Sequence, residues 1–197
     1  MTDMEWLLFL AQLPATPSSL RVYVWRKLRS AGAASLQNGV WVLPHDPEKA
    51  IFLERLQAYV KQNEASSQVF LVHGINQTTQ EDILSRFESD RDQEYDEFLE
   101  QCEAFLYELD KETLDDKFTF AELEENEQNL QRLKKWIEKI KKRDFFGAQK
   151  SQAAARKLQT CRQRLETYTR EVYAREGIEI PPDDRLFPDQ EEDDDEE

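Results

Sequence analysis

Four basic side chains within nine residues form the first candidate site for binding anions. Arg21, Arg26, Lys27 and Arg29 lie in a short stretch that contains no acidic residue. Guanidinium groups suit oxyanions and phosphates because they donate paired hydrogen bonds in a fixed geometry. Clustered Lys and Arg side chains are also typical of nucleic-acid contact. The stretch therefore predicts binding of DNA or of an oxyanion, and the alternative is a solubilising helix face that pairs with acids elsewhere.

A second basic group lies in the C-terminal half of the chain. Lys139, Lys141, Lys142 and Arg143 follow one another within five residues. Because phosphate contacts dominate nucleic-acid affinity, such a group favours contact with DNA or another oxyanion. The alternative is charge pairing with an acidic helix or with the acidic C-terminal tail.

The sequence contains none of the motifs that are typical of enzyme active sites. A Gly-rich phosphate loop, a nucleophile elbow and a His-Glu-x-x-His motif are all absent. No set of nucleophile, base and oxyanion donor can be assembled from neighbouring positions. We therefore expect a non-enzymatic protein with no catalytic residue, no bound metal and no cofactor.

The remaining metal-ligating residue types have structural explanations. Cys102 and Cys161 fall on the apolar seams of predicted helices, where free cysteines are usually buried. His45 and His73 lie at the ends of predicted strands without partner ligands. The acids around Glu122 lie in a first helical turn, where negative charge stabilises the helix dipole.

Charge is unevenly distributed along the 197 residues, which carry a formal net charge of −15. Residues 79–131 hold 19 acidic and 4 basic side chains, whereas residues 132–176 hold 14 basic and 5 acidic ones. The average argues against unassisted binding to nucleic acid or to an anionic membrane, but it conceals a basic block. The apolar run Trp6–Leu10 is too short to span a membrane. Two distant cysteines fit a reducing compartment, so we expect a cytoplasmic protein without membrane contact.

The elements that position these cations are organised around a predicted β-hairpin. Asn38-Gly39 links two β-prone runs, and Pro44 ends the second of them. This link predicts a type I′ turn, which needs positive φ at both central residues. A strand and a helix precede the hairpin, and a helix and a strand follow it. The order β-α-β-β-α-β favours a ferredoxin-like sandwich within residues 1–77.

The predicted strands are apolar on both faces. Trp6–Leu10, Val40–Leu43 and Val69–Val72 show continuous apolar runs and no alternation. Both sheet faces should therefore be covered, one by the two helices and the other by the C-terminal arm or by a second subunit.

Residues 78–176 predict an antiparallel three-helix, coiled-coil-like arm. Apolar residues recur there at alternating spacings of three and four, and Asn126 falls on one of these seams. Thr78 with Glu81, and Thr119 with Glu122, are predicted capping boxes at two helix starts. Residues 177–197 are acidic and predict a largely disordered tail.

Several of these stretches resemble the N-terminal domain of ChrB, a bacterial chromate-resistance regulator family. The resemblance extends over nearly all of residues 4–176. It rests on Trp6–Leu8, Leu13-Pro14, Pro17–Val22 with Trp25-Arg26, Leu36–Pro44, Lys117–Glu127 and Arg143–Gly147. The first half is also similar to the Cas2-like domain of PaaX-type repressors, which favours the ferredoxin-like prediction.

The resemblance implies a role in transcriptional control of chromate-resistance genes. Taken together with the basic clusters and the apolar sheet faces, the resemblance leads us to expect a homodimer that contacts DNA and has chromate or another oxyanion as effector. Cas2-like nucleases hold a metal through an Asp at the end of the first strand. The equivalent stretch here, Ala11–Pro14, has no carboxylate. The alternative function is a protein–protein interaction scaffold that does not bind DNA.

Overall fold

The computed structural model describes residues 4–179. It confirms the predicted α+β class, with a four-stranded antiparallel sheet and five helices in that range. The elements in chain order are β1 (Glu5–Gln12), α1 (Ser19–Ser30), β2 (Ala34–Gln37), β3 (Val40–Pro44), α2 (Pro47–Gln62), β4 (Ser66–His73), α3 (Gln77–Leu114), α4 (Phe120–Arg143) and α5 (Ser151–Glu176). Residues 180–197 of the predicted acidic tail lie outside the described residues.

The described residues divide into two compact units by their backbone contacts. The first contains residues 4–97 and 137–152, and the second contains residues 98–136 and 153–179. The whole sheet lies in the first unit, while α3, α4 and α5 contribute residues to both. None of the helices in this part of the chain is long and apolar enough to cross a membrane. The predicted domain boundary at residues 77 and 78 stays a prediction.

Strand β1 lies in the interior of the sheet, whose order is β2-β3-β1-β4. Leu8 of β1 lies between Val42 of β3 and Phe70 of β4, and both pairings are antiparallel. The two outer strands are β2 and β4. Each outer strand therefore has one edge without a strand partner in this sheet.

The hairpin lies at the predicted residues, but the predicted type I′ turn is wrong. Gly39 has φ +75°, whereas Asn38 is not in the left-handed region that this turn also requires. The pairing of β2 with β3 shifts register between Ser35 and Gln37, so a bulge accommodates the extra residue. Gly39 is required because a Cβ there would lie 2.4 Å from the carbonyl oxygen of Ala11.

The first face of the sheet packs against α1 and α2. Leu20, Val24 and Leu28 recur every four residues and form the buried stripe of α1. They pack with apolar residues of α2 and of the inner strands, namely Leu53, Leu56, Val60, Leu7, Phe9 and Leu43. Asp46 begins α2 by accepting a 2.8 Å hydrogen bond from the backbone N–H of Lys49.

The second face is covered by α3 and by the segment after α4. Trp6 is fully buried, and its ring stacks on Phe87 of α3 with centroids 5.7 Å apart. Phe146 packs against both rings. The indole N–H of Trp6 donates a 2.9 Å hydrogen bond to Gln80. Residues of this chain therefore cover the second face over β1 and β3. Of the two covers predicted, the helices of residues 78–176 and a second subunit, the first lies on this part of the sheet.

Strand β4 departs from the predicted burial. Its side chains are all exposed or partly exposed, and Phe70 and Leu71 are 45% and 51% exposed. The prediction that Val69–Val72 is buried on both faces is therefore wrong. The physical reason is the position of β4 at the edge of the sheet, where it has a strand partner on one side only. Val69 and Val72 pack partly buried against the clusters on the two faces, whereas Phe70 and Leu71 remain exposed.

Asp144 ends α4 and orders the segment that carries the two phenylalanines. Its carboxylate accepts hydrogen bonds from the backbone N–H groups of Gly147 and Ala148, at 3.0 and 2.9 Å. The hydroxyl of Tyr95 donates a further bond to Asp144, at 3.2 Å. These contacts fix the turn, so Phe146 is held against the sheet.

Of the two capping boxes predicted in the arm, the Thr119 N-cap bond of one is confirmed. The backbone N–H of Glu122 donates to the hydroxyl of Thr119, immediately before α4 begins. The cap of α3 is instead Asn76, whose side chain accepts a 2.9 Å bond from Thr79. The prediction of Thr78 at that position is wrong, because the helix begins at Gln77 and is capped by Asn76, two residues before Thr78.

The second unit packs residues of α3, α4 and α5 around apolar and polar seam positions. Cys102 and Cys161 are both buried, and the thiol of Cys161 donates a 3.7 Å hydrogen bond to the carbonyl of Cys102. The predicted seam residue Asn126 is buried and donates a 2.6 Å hydrogen bond to Glu112. Glu112 is only 7% exposed. Burial raises the pKa of its carboxyl above the ordinary value, and the Asn126 bond partly opposes this.

We predict that Trp6→Ala destabilises the first unit by about 3–5 kcal/mol, because it removes a fully buried indole and leaves a cavity. Urea unfolding followed by circular dichroism measures the change. The matched control is Trp25→Ala, which removes an indole that is 52% exposed and should cost much less. Equal losses in the two variants would contradict the assigned packing.

We predict that Glu112→Gln stabilises the protein at neutral pH and has little effect near pH 4. The raised pKa means that the folded chain holds a proton after the unfolded chain has lost it. The free energy of unfolding therefore falls as the pH rises from the pKa of Glu112 in the unfolded chain through its higher pKa in the folded chain. Gln keeps the acceptor for Asn126 but does not titrate. Urea unfolding over a pH series tests this, with exposed Glu100→Gln on the same helix as control; parallel pH profiles for wild type and Glu112→Gln would contradict it.

Candidate anion-binding surface

Helix α1 divides its basic residues between two faces. Arg21, Trp25 and Arg29 are spaced four residues apart, so they form one stripe beside the buried stripe of the helix. Arg26 and Lys27 fall outside this stripe and are exposed. The ammonium of Lys27 lies 5.6 Å from the centre of the Tyr23 ring. The four predicted residues therefore lie in different surroundings, although they are close in sequence.

The last turn of α4 carries the second predicted cluster. Lys139, Lys141 and Lys142 are exposed, and Lys141 forms a 2.8 Å surface ion pair with Glu138. Cations are favoured at this end of a helix because its carbonyl groups carry partial negative charge. Arg143 differs from the lysines because it is partly buried.

Glu94 of α3 brings one member of each cluster together. Its carboxylate lies 3.5 Å from the guanidinium of Arg29 and 2.8 Å from that of Arg143. Gly32, with φ +79°, supports the same approach, since a Cβ there would meet Arg143 and Phe145 at 3.0 Å. The ends of α1 and α4 therefore meet at Glu94, which lies in neither predicted cluster.

A third guanidinium at this junction is buried. Arg91 is 2% exposed, and it reaches Glu94 at 3.3 Å. Its Nε and Nη1 atoms have no hydrogen-bond partner among residues 4–179. Burial lowers the pKa of Arg91, and the neighbouring Glu94 opposes this. The carboxylate of Glu94 is therefore the main counter-charge for a cation that water does not reach.

An open cleft of about 920 Å³ adjoins the same junction. Its lining includes the α1 stripe of Arg21, Trp25 and Arg29 together with Arg86 and Asp90 of α3. The floor includes the hairpin with its edge strand β2, and the end of β1: Ser35, Leu36, Gln37, Asn38, Gly39, Trp41, Ala11, Gln12 and Leu13. Two of the predicted anion-binding residues, Arg21 and Arg29, thus line a concave surface.

Sequence reasoning missed the α3 side of this surface. Arg86, Asp90 and Glu94 are spaced four residues apart and so share one helix face. The signal that could have found them is the rarity of cations in this region, since residues 79–131 hold only four basic side chains. Two of those four, Arg86 and Arg91, lie beside the basic helix ends.

Comparison with known proteins places these features in a family. The family model described as "Protein ChrB, N-terminal" matches residues 21–178. The chain belongs to the ChrB N-terminal family. The match includes all eight predicted cations, from Arg21 to Arg143, and the α3 residues that join them.

A curated relative supports the family assignment. Protein ChrB of Cupriavidus metallidurans (strain ATCC 43123 / DSM 2839 / NBRC 102507 / CH34) is 26% identical over 154 residues, which are 77% of this chain. The same alignment spans 44% of that ChrB protein. This chain thus corresponds to less than half of the relative's length.

We predict that Glu94→Ala destabilises the first unit by about 3 kcal/mol, because Arg91 would keep a buried charge without its main counter-charge. Urea unfolding measures the loss. The matched control is Glu88→Ala on the exposed face of α3, which should change stability by less than about 0.5 kcal/mol. Equal effects of the two substitutions would refute the role of Glu94.

Proposed function

We propose that the chain is a non-enzymatic bacterial transcription regulator of the chromate-resistance type that contacts DNA through the exposed cations of α1 and α4. Family membership supports the regulatory assignment. The observation that carries the DNA proposal is the meeting of two basic helix ends at Glu94. Because this alignment spans 44% of the ChrB relative, the activity of a whole ChrB protein is part of the proposal.

The cations differ in how free they are to reach a phosphate. Arg21, Arg26, Lys27, Lys139 and Lys142 are exposed and form no ion pair with another residue in the range 4–179. Arg29 and Arg143 are held by Glu94, and Lys141 is paired with Glu138. We therefore assign DNA contact mainly to the five exposed cations, whereas Arg29 and Arg143 position the two helices.

The first unit is proposed to be a ferredoxin-like, Cas2-like domain. Its sheet order, taken from the opposite edge, is β4-β1-β3-β2, and both α1 and α2 pack on one face. The three helices that follow are proposed to form a coiled-coil-like arm. In the second unit, Lys157 of α5 pairs with Glu103 of α3, and Arg164 pairs with Asp110, seven residues further along each helix.

The regulator is proposed to act in the cytoplasm as a homodimer, with chromate or another oxyanion as its effector. The outer edge of β4 supports self-association, because this strand exposes Phe70 and Leu71 and has no Asp, Glu, Lys, Arg or Pro to block pairing. Two copies of β4 would meet without like-charge repulsion. The arginine side chains at the junction are of the type that binds oxyanions.

We predict that the protein retards duplex DNA from upstream of its own gene, and that binding weakens steeply with salt. Neutralising one phosphate-contacting cation should reduce the slope of log K against log salt by about one. Arg26→Gln and Lys142→Gln should each do so. Gel-shift titrations at several salt concentrations measure the slopes.

The matched control is Lys61→Gln, which removes an exposed lysine at the end of α2, outside both clusters. Its slope should equal that of the wild type. A protein that retards no upstream DNA at low salt but co-purifies with a partner protein would reject the DNA proposal and favour an interaction scaffold.

A further inference from the structure

The cleft lined by α1 and α3 offers chemistry that the regulatory proposal uses only through Arg21. Its walls contribute three guanidinium groups and one carboxylate, from Arg21, Arg29, Arg86 and Asp90. Asp90 lies 3.5 Å from Arg29, so these two charges offset each other. Arg21 and Arg86 are exposed and form no ion pair within the described part of the chain. The balance of charge on the walls therefore favours an anionic ligand.

Trp25 adds an apolar ring to the same wall. It is 52% exposed, and it lies between Arg21 and Arg29 on the α1 stripe. Aromatic rings of this kind stack on planar ligands, and every nucleic-acid base offers such a face. An anion without a planar group would leave the indole unused.

The dimensions of the cleft also favour a ligand larger than a single tetrahedral oxyanion. Its volume of about 920 Å³ falls within the range of about 300–1,000 Å³ that is typical of small-molecule sites. The floor includes edge strand β2, which has no strand partner on its outer side. Gln37 and Asn38 also line it, and side-chain amides of this type can hydrogen-bond the polar edge of a base.

We propose that this cleft binds a nucleotide, whose phosphates lie between Arg21 and Arg86 and whose base stacks on Trp25. The shared chemistry is a phosphate next to a planar base, either in a free nucleotide or within a single strand. The proposal goes beyond the regulatory function and does not depend on it. Trp25 and Arg86 belong to neither basic cluster, and Arg26 and Lys142 do not line the cleft.

Isothermal titration calorimetry with ATP and with inorganic tripolyphosphate tests the proposal, because the second probe keeps the phosphate chain and lacks the base. We expect ATP to bind about tenfold more tightly, the order of magnitude of one stacked base. Trp25→Ala should abolish this difference. Arg86→Gln should weaken both probes by about tenfold, since a charged hydrogen bond is lost. Arg55→Gln, an exposed arginine of α2 outside the cleft, should change neither affinity.

Three outcomes overturn the proposal: no binding of ATP or of an oligodeoxyadenylate single strand, equal affinities for ATP and tripolyphosphate, or an ATP affinity unchanged in Trp25→Ala.

The oligonucleotide distinguishes the two sources of the ligand. Tighter binding of the strand than of ATP, lost in Trp25→Ala, assigns the site to a nucleotide within a strand, and the reverse order assigns it to a free nucleotide. Circular dichroism spectra verify that each variant is folded. A reduced salt slope of duplex DNA binding in Arg26→Gln, with unchanged ATP affinity, would separate the two proposals.

Discussion

Strand β1 is apolar on both of its faces, and this one property requires the chain to cover the sheet twice. Leu7 and Phe9 point to the side of α1 and α2, whereas Trp6 and Leu8 point to the side of α3. Leaving either side in water would expose large apolar side chains, at a cost of about 25 cal/mol for each Å². The first turns of α3 and the segment after α4 are therefore part of the sheet's own core. Because Trp6 fixes α3 through both ring stacking and a hydrogen bond to Gln80, it also sets where Arg86, Asp90 and Glu94 lie.

The same packing explains the uneven charge of the sequence. Once α3 lies on the sheet, its acidic residues approach the basic ends of α1 and α4, and Glu94 pairs with cations from both. Exposed ion pairs contribute little to stability individually. The pair of Glu94 with Arg91 differs because Arg91 is buried, so breaking it would leave a charge without compensation. The acidic and basic segments therefore pair in order to join helices. Only the cations outside these ion pairs are free to bind a ligand.

Sequence patterns predicted the features that depend on local chemistry. The Asn38-Gly39 reversal and the Thr119 cap each follow from a few neighbouring residues, and the structure contains both. The turn type was not predictable in the same way, because the bulge near Gln37 arises from pairing with β3. The exposure of Phe70 follows from strand order, which apolar content alone does not reveal. For the candidate site, the cations themselves were predictable, but Arg86 and Glu94 joined them only through tertiary packing.

Helix α1 shows how one basic segment can serve two kinds of contact. A spacing of four places Arg21, Trp25 and Arg29 on the wall of the cleft, while Arg26 and Lys27 remain outside it. Successive residues of an α-helix are rotated by about 100° around its axis, so neighbours in sequence face different surroundings. The basic stretch at residues 21–29 is therefore two surfaces, one concave with an aromatic ring and one exposed with charge alone. The backbone of a DNA duplex is suited to the exposed cations, whereas a small planar anion is suited to the concave wall, and Arg21 is the one cation assigned to both.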